Sequence, residues 1–198
     1  AATPAIAAVM EQNSAAILVG ECFALSEADA ALRTDFPERH ILLPAADRSL
    51  AGIAFGFAVD GAHPIVRLPD AASLLRLSAR IEEQSMLCAA NGMSSGVVYE
   101  LPCSPRDSHR IALLNLQNSS VWAPITPAQT KVILEQTLRS DKNTVLLSCL
   151  SPDLKTDGED SEVKPWLTLR QSDAPWATIL CWGQACASAL AIAAEFAS

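Results

Sequence analysis

The chain repeats one pattern: a short apolar run, a turn or cap signal, a longer stretch with helical periodicity, then another apolar run. AAILVG at 15–20 is apolar almost throughout, as a strand covered on both faces must be. PIVRL at 64–68, GVVYEL at 96–101 and TVLLSC at 144–149 share that character, and shorter runs occupy 41–43 and 121–123. Helices are expected over 5–12, from the Ser26 cap to about 35, and over 48–59, 71–90 and 127–138. Strands that alternate with helices in this way imply a mostly parallel sheet flanked by helices, an α/β fold.

Punctuation residues place the boundaries. Ser26 with Asp29 three residues on is a variant capping box, and Phe36-Pro37 ends the helix it starts. Asp60-Gly61 and Asn91-Gly92 are stop signals, and Thr126 followed by Pro127 is a start signal. Within 71–90, Leu74, Leu77, Ile81 and Leu87 are expected on the apolar face. The alternation stops after 150. Residues 151–175 read as an acidic linker, whose charges at 157–162 lack the spacing of a calcium loop. ATILCW at 177–182 reads as a buried strand and 183–196 as an Ala-rich helix, together the start of a second α/β domain within 176–198.

Composition narrows the function classes. With 198 residues the chain can bury a sizeable core. Its net charge of -8 and the lack of a Lys/Arg cluster argue against nucleic acid. Apolar runs fall short of the roughly 18 residues a membrane span needs, so a soluble protein is expected. Cys22, Cys88, Cys103, Cys149, Cys181 and Cys186 show no C-x-x-C spacing and read as buried reduced thiols.

Neither G-x-G-x-x-G nor a P-loop motif is present, which argues against a self-sufficient nucleotide site. His40, His63 and His109 lack metal-ligand spacing, so no metal ligands are assigned, and no G-x-S-x-G elbow supports a serine nucleophile. Asp47 stands where the 41–43 strand hands over to a helix. There an Asp is either an N-cap or a carboxylate that binds a ring nitrogen or moves a proton. Asp107, Ser108 and His109 form a polar trio in a Pro-flanked loop, where His109 either binds substrate or decorates the loop. Gly52 and Gly56, four apart in one helix, ask for close packing, within the chain or across a subunit interface.

LVGE at 18–21, FPERHILLPAADRSLAGIAFGFAVDGAHPIV at 36–66, VVYELP at 97–102 and VWAPITPAQTKVILEQTLRSDKNTVLL at 121–147 resemble the pyrimidine-binding domain of thiamine diphosphate enzymes. The likeness is above all to the beta subunit of 2-oxo acid dehydrogenase E1 components, with transketolase as a relative. It covers about 5–150, and 177–197 resembles the start of that family's C-terminal domain. The resemblance implies that Asp47 occupies the place of a Glu that hydrogen-bonds the aminopyrimidine, with Glu21 and Asp70 also facing cofactor and His109 as the remnant of an active-site His. It implies thiamine diphosphate with Mg2+, held largely by a partner: an E1-alpha-like subunit, or a homo-oligomer built through the Gly52/Gly56 helix. The compartment implied is the cytoplasm, or the mitochondrial matrix in a eukaryote.

The site departs from the family pattern. Asp47 is one methylene shorter than Glu, Arg48-Ser49 replaces a small pair, and LPDAAS at 68–73 lacks the aromatic that packs on the pyrimidine. Two readings follow: a component of a thiamine diphosphate enzyme, or a degenerate, non-catalytic scaffold or assembly subunit.

Overall fold

The computed structural model describes residues 2–22, 27–44, 47–93, 96–102, 116, 118–148, 164, 168–171, 175–183 and 185–196, with Asp47 described by its backbone. Helix α1 (Thr3–Gln12) leads into β1 (Ala16–Glu21), α2 (Glu27–Asp35), β2 (His40–Leu43), α3 (Asp47–Val59), β3 (His63–Arg67) and α4 (Ala71–Asn91). Then come β4 (Val98–Pro102), β5 (Ser119–Trp122), α5 (Pro127–Thr137), β6 (Asn143–Ser148) and α6 (Ala185–Glu195). The strands form one sheet in the order β2-β1-β3-β4-β6-β5, and every pairing is parallel.

Both faces of the sheet are covered, which explains why its interior strands are mostly apolar. On one face α3 and α4 set Leu50, Ala51, Ala54, Leu74, Leu77 and Ile81 against Val19, Val66, Tyr99 and Val145. On the other, α1, α2 and α5 set Ile6, Met10, Leu32 and Leu134 against Leu18, Ile65, Val98 and Leu146. Alternate residues of each strand serve opposite layers.

Local signals act as their chemistry dictates. Thr126 Oγ1 accepts the Gln129 N–H at 3.2 Å, and the Gln129 side chain accepts the Ile125 N–H at 2.9 Å, fixing the start of α5. Gly92 ends α4 in the left-handed region at φ 62°. Arg39 acts as a clasp: its Nη1 donates to the carbonyls of Met10 at 2.9 Å and Asn13 at 3.0 Å while its guanidinium lies 4.7 Å from the centre of the Phe36 ring. The end of α1 is thereby fastened to the turn before β2.

Three expectations need correction. Leu87 is exposed, and Cys88 is the residue that continues the buried row of Leu74, Leu77 and Ile81. Cys88 lies seven residues from Ile81, about two helical turns, whereas a sixth residue has already rotated off the stripe. The second concerns 177–182, which has no strand pairing among the described residues; Leu180 is 73% exposed, and Ile179 and Trp182 are exposed as well. A strand needs a neighbouring ladder, and apolar composition alone does not supply one. The helix expected after it is present as α6, which buries Cys186. Cys22 and Cys181 are half-buried rather than buried. The Ser26 cap, Cys103, Cys149 and most of the 151–175 linker lie outside the described residues.

The turn before β6 depends on a glycine. A Cβ built on Gly96 would lie 1.9 Å from the Ser140 carbonyl oxygen, a backbone atom that cannot swing aside. Next to it, Asn143 accepts the Val97 N–H at 3.1 Å and donates to Ser85 at 2.7 Å, tying β4, β6 and α4 together. Gly96→Ala should therefore lower stability by about 1–3 kcal/mol in urea titration, through overpacking. Tyr99 makes the opposite case: it is fully buried and its hydroxyl has no partner among the described residues. Tyr99→Phe should leave stability unchanged or raise it by about 1 kcal/mol, because it removes a desolvated hydroxyl.

Candidate functional site

Strands β1 and β3 are neighbours, with Gly20 opposite Arg67. The chain leaves β1 for α2, whose Leu32 belongs to one core, and leaves β3 for α4, whose leucines belong to the other. Adjacent strands whose connections diverge to opposite faces open a crevice at their carboxyl ends, the position where open α/β sheets hold ligands.

The described candidates from the sequence stand along this edge. Glu21 ends β1, half-buried, in register with Leu43 of β2. Asp47 is the first residue of α3, four positions after Leu43, so it lies at the same carboxyl edge; its side chain is outside the described residues. Asp70 follows Arg67 by three and caps α4, its carboxylate accepting the Ser73 N–H at 2.7 Å. That backbone hydrogen bond, with the Ser73 hydroxyl and Arg76 nearby, holds the Asp70 carboxyl below its usual range despite some desolvation. Asp70 is thus engaged in helix capping. His109 lies outside the described residues, as do Asp107 and Ser108.

Beneath the crevice is a charge cluster that periodicity did not single out. Arg67 Nε donates to Glu100 Oε2 at 2.8 Å, and its Nη1 bonds Asp29 Oδ1 and Thr3 Oγ1. Thr3 donates in turn to Asp29, and Ser148 to Glu100. Asp29 and Glu100 are 5% and 3% exposed, so this is a buried network spanning α1, α2, β3, β4 and β6. Burial opposes the charge on Arg67, but Glu100 and Asp29 outweigh it and hold the guanidinium above its ordinary pKa. A legible trace existed: Arg67 and Glu100 are opposite charges inside apolar strands, and they prove to be register partners.

The glycines of α3 receive a clear answer. Ala51, Ala54 and Ala58 form its buried side, whereas a Cβ at Gly52 or Gly56 would meet no atom of the described residues within 4 Å. Close packing within the described chain does not account for either glycine. Ile53 and Val59 on the same helix are also exposed.

No protein-family model and no curated protein matches the sequence. Among solved structures, the chain is similar to one described as a split gene transketolase, inactive beta4 tetramer, with a TM-score of 0.61 at 20% identity. The fold is transketolase-like. The match covers 79% of this chain and 54% of that one, so this chain spans about half of the solved neighbour. Among the described residues no helix is long and apolar enough to cross a membrane.

Arg67→Met strands two buried carboxylates and should cost about 3–5 kcal/mol in chemical denaturation. His40, buried beside the cluster with no partner for Nδ1 among the described residues, has its pKa lowered below 6.5 by burial and by Arg67 and Arg33, with Asp29 partly opposing. Because the folded value is the lower one, the unfolded chain takes up the proton first as pH falls. The neutral imidazole's contribution is complete above 6.5 and is lost below it. Urea titrations at about pH 7.5 and about pH 5.5 should show a smaller acid loss for His40→Leu than for the wild type.

Proposed function

We propose that this chain contributes the pyrimidine side of a thiamine diphosphate site completed by a partner subunit, in an enzyme of the E1-beta or transketolase kind. The observation that carries this reading is the β1/β3 crevice with Glu21 and the Asp47 position on its carboxyl edge. In this reading Asp47 hydrogen-bonds a ring nitrogen of the aminopyrimidine, Glu21 lines the same side, and His109 meets substrate. The chemistry the cofactor supplies when bound is a carbon nucleophile toward the carbonyl of a 2-oxo acid or ketose. Diphosphate and Mg2+ fall to the partner, because the N-terminus of α4 already has the Asp70 carboxylate as its anion. Residues 176–198 are, in the same reading, the opening of a C-terminal domain of that family.

A second reading, a non-catalytic assembly subunit, is favoured by the same cap and by the open Gly52/Gly56 side of α3. Small residues let another backbone approach closely, which suits a partner or a second copy.

Calorimetric titration of thiamine diphosphate and Mg2+ into the chain, with and without its co-purifying partner, separates the two. Binding is expected only with the partner present, weakened about tenfold or more by Asp47→Ala, equivalent to about 1.4 kcal/mol. An absence of binding in every mixture leaves the assembly reading alone, and binding untouched by Asp47→Ala removes the role given to that residue. Gly56→Leu, which has room among the described residues, should leave the fold intact while dissociating the assembly in sedimentation velocity; an unchanged assembly would rule out the α3 interface.

A further inference from the structure

We propose that α2 is a releasable strap, docked mainly by the Asp29–Arg67–Glu100 cluster rather than by apolar burial, and that it detaches while the sheet stays folded. Of its nine residues, Asp29 and Leu32 are the buried ones. Helix α1 is anchored differently, burying Ala5, Ile6, Val9 and Met10, and α4 buries a long apolar row. Among the described residues, apolar attachment of α2 therefore rests on one leucine within the helix and the half-buried Phe36 beyond it.

The remaining attachment is ionic and reaches far. Asp29 meets Arg67, which is bound in turn to Glu100 on the next strand and to Thr3 on α1. Gly20 lies between β2 and β3 in this row, and its missing side chain leaves space beside Arg67, whose Cβ would be 3.8 Å from a Cβ at Gly20. If Asp29 withdraws, Arg67 keeps Glu100, and Glu100 keeps Ser148, so the sheet side of the cluster remains paired. The cluster can lose its α2 member without leaving an isolated charge in the sheet, which is the condition for a local rather than a global opening. Because α2 follows the carboxyl end of β1, its release would widen the crevice from the α1 side. The inference concerns the chain alone and does not depend on a cofactor.

Hydrogen exchange of the full chain, read by mass spectrometry in a low-urea series, tests it. Amides of 27–35 should open at urea concentrations well below the global transition, with protection at least tenfold lower than in 63–67 and 98–102. Asp29→Asn should lower protection in 27–35 by a further tenfold or more and leave β3 and β4 unchanged, while Glu27→Gln, on the exposed side, should change neither. If 27–35 opens only together with the sheet, or if Asp29→Asn reduces protection uniformly, the strap is overturned. Should Asp29→Asn fail to fold, the wild-type urea series decides by itself.

Discussion

A parallel sheet buried on both faces has one consequence that governs everything else in this molecule: side chains above and below the strands are committed to packing, and only the strand ends remain for chemistry. Here α3 and α4 fill one face and α1, α2 and α5 the other. Where β1 and β3 part company, their connections run to opposite layers, and a polar edge is left between them. Glu21, Asp47 and Asp70 all belong to that edge, which explains why one edge gathers acids that are far apart in the chain.

Those acids do not have equivalent work. Asp70 is occupied in holding the first turn of α4, and its lowered pKa records that bond. Glu21 and Asp47 close the strand and open the helix on the other side of the crevice. Behind them, Arg67 is shared between two buried carboxylates, adding an ionic tie between α2 and the sheet to the apolar packing already there. Such a cluster contributes less to net stability than its charges suggest, since desolvation offsets much of the attraction, yet loss of its central Arg67 would leave two carboxylates buried and unpaired.

Much of the fold was legible because buried parallel strands are mostly apolar, and the AILVG and VLL runs of β1 and β6 announce themselves on that ground. Caps were legible for a different reason, since Thr126 and Gly92 act through local geometry. The run at 177–182 misled because its composition matches a strand while pairing depends on residues elsewhere. The Arg67 cluster was hidden for the same reason: Asp29 reads as a polar residue near a helix start, and nothing local reveals that it meets a strand 38 residues away. Tertiary partners, not propensities, decide those cases.

The Phe36-Pro37-Glu38-Arg39 segment carried much of the likeness to thiamine diphosphate enzymes, yet its described role is mechanical. Arg39 gathers the carbonyls of Met10, Asn13 and, at 3.4 Å, Ala16, none of which belongs to the crevice edge. A signature built on such a clasp testifies to architecture and is silent about turnover. A lineage could discard every reactive group at the crevice and still spell this tetrapeptide, so long as the first helix had to be moored to the second strand.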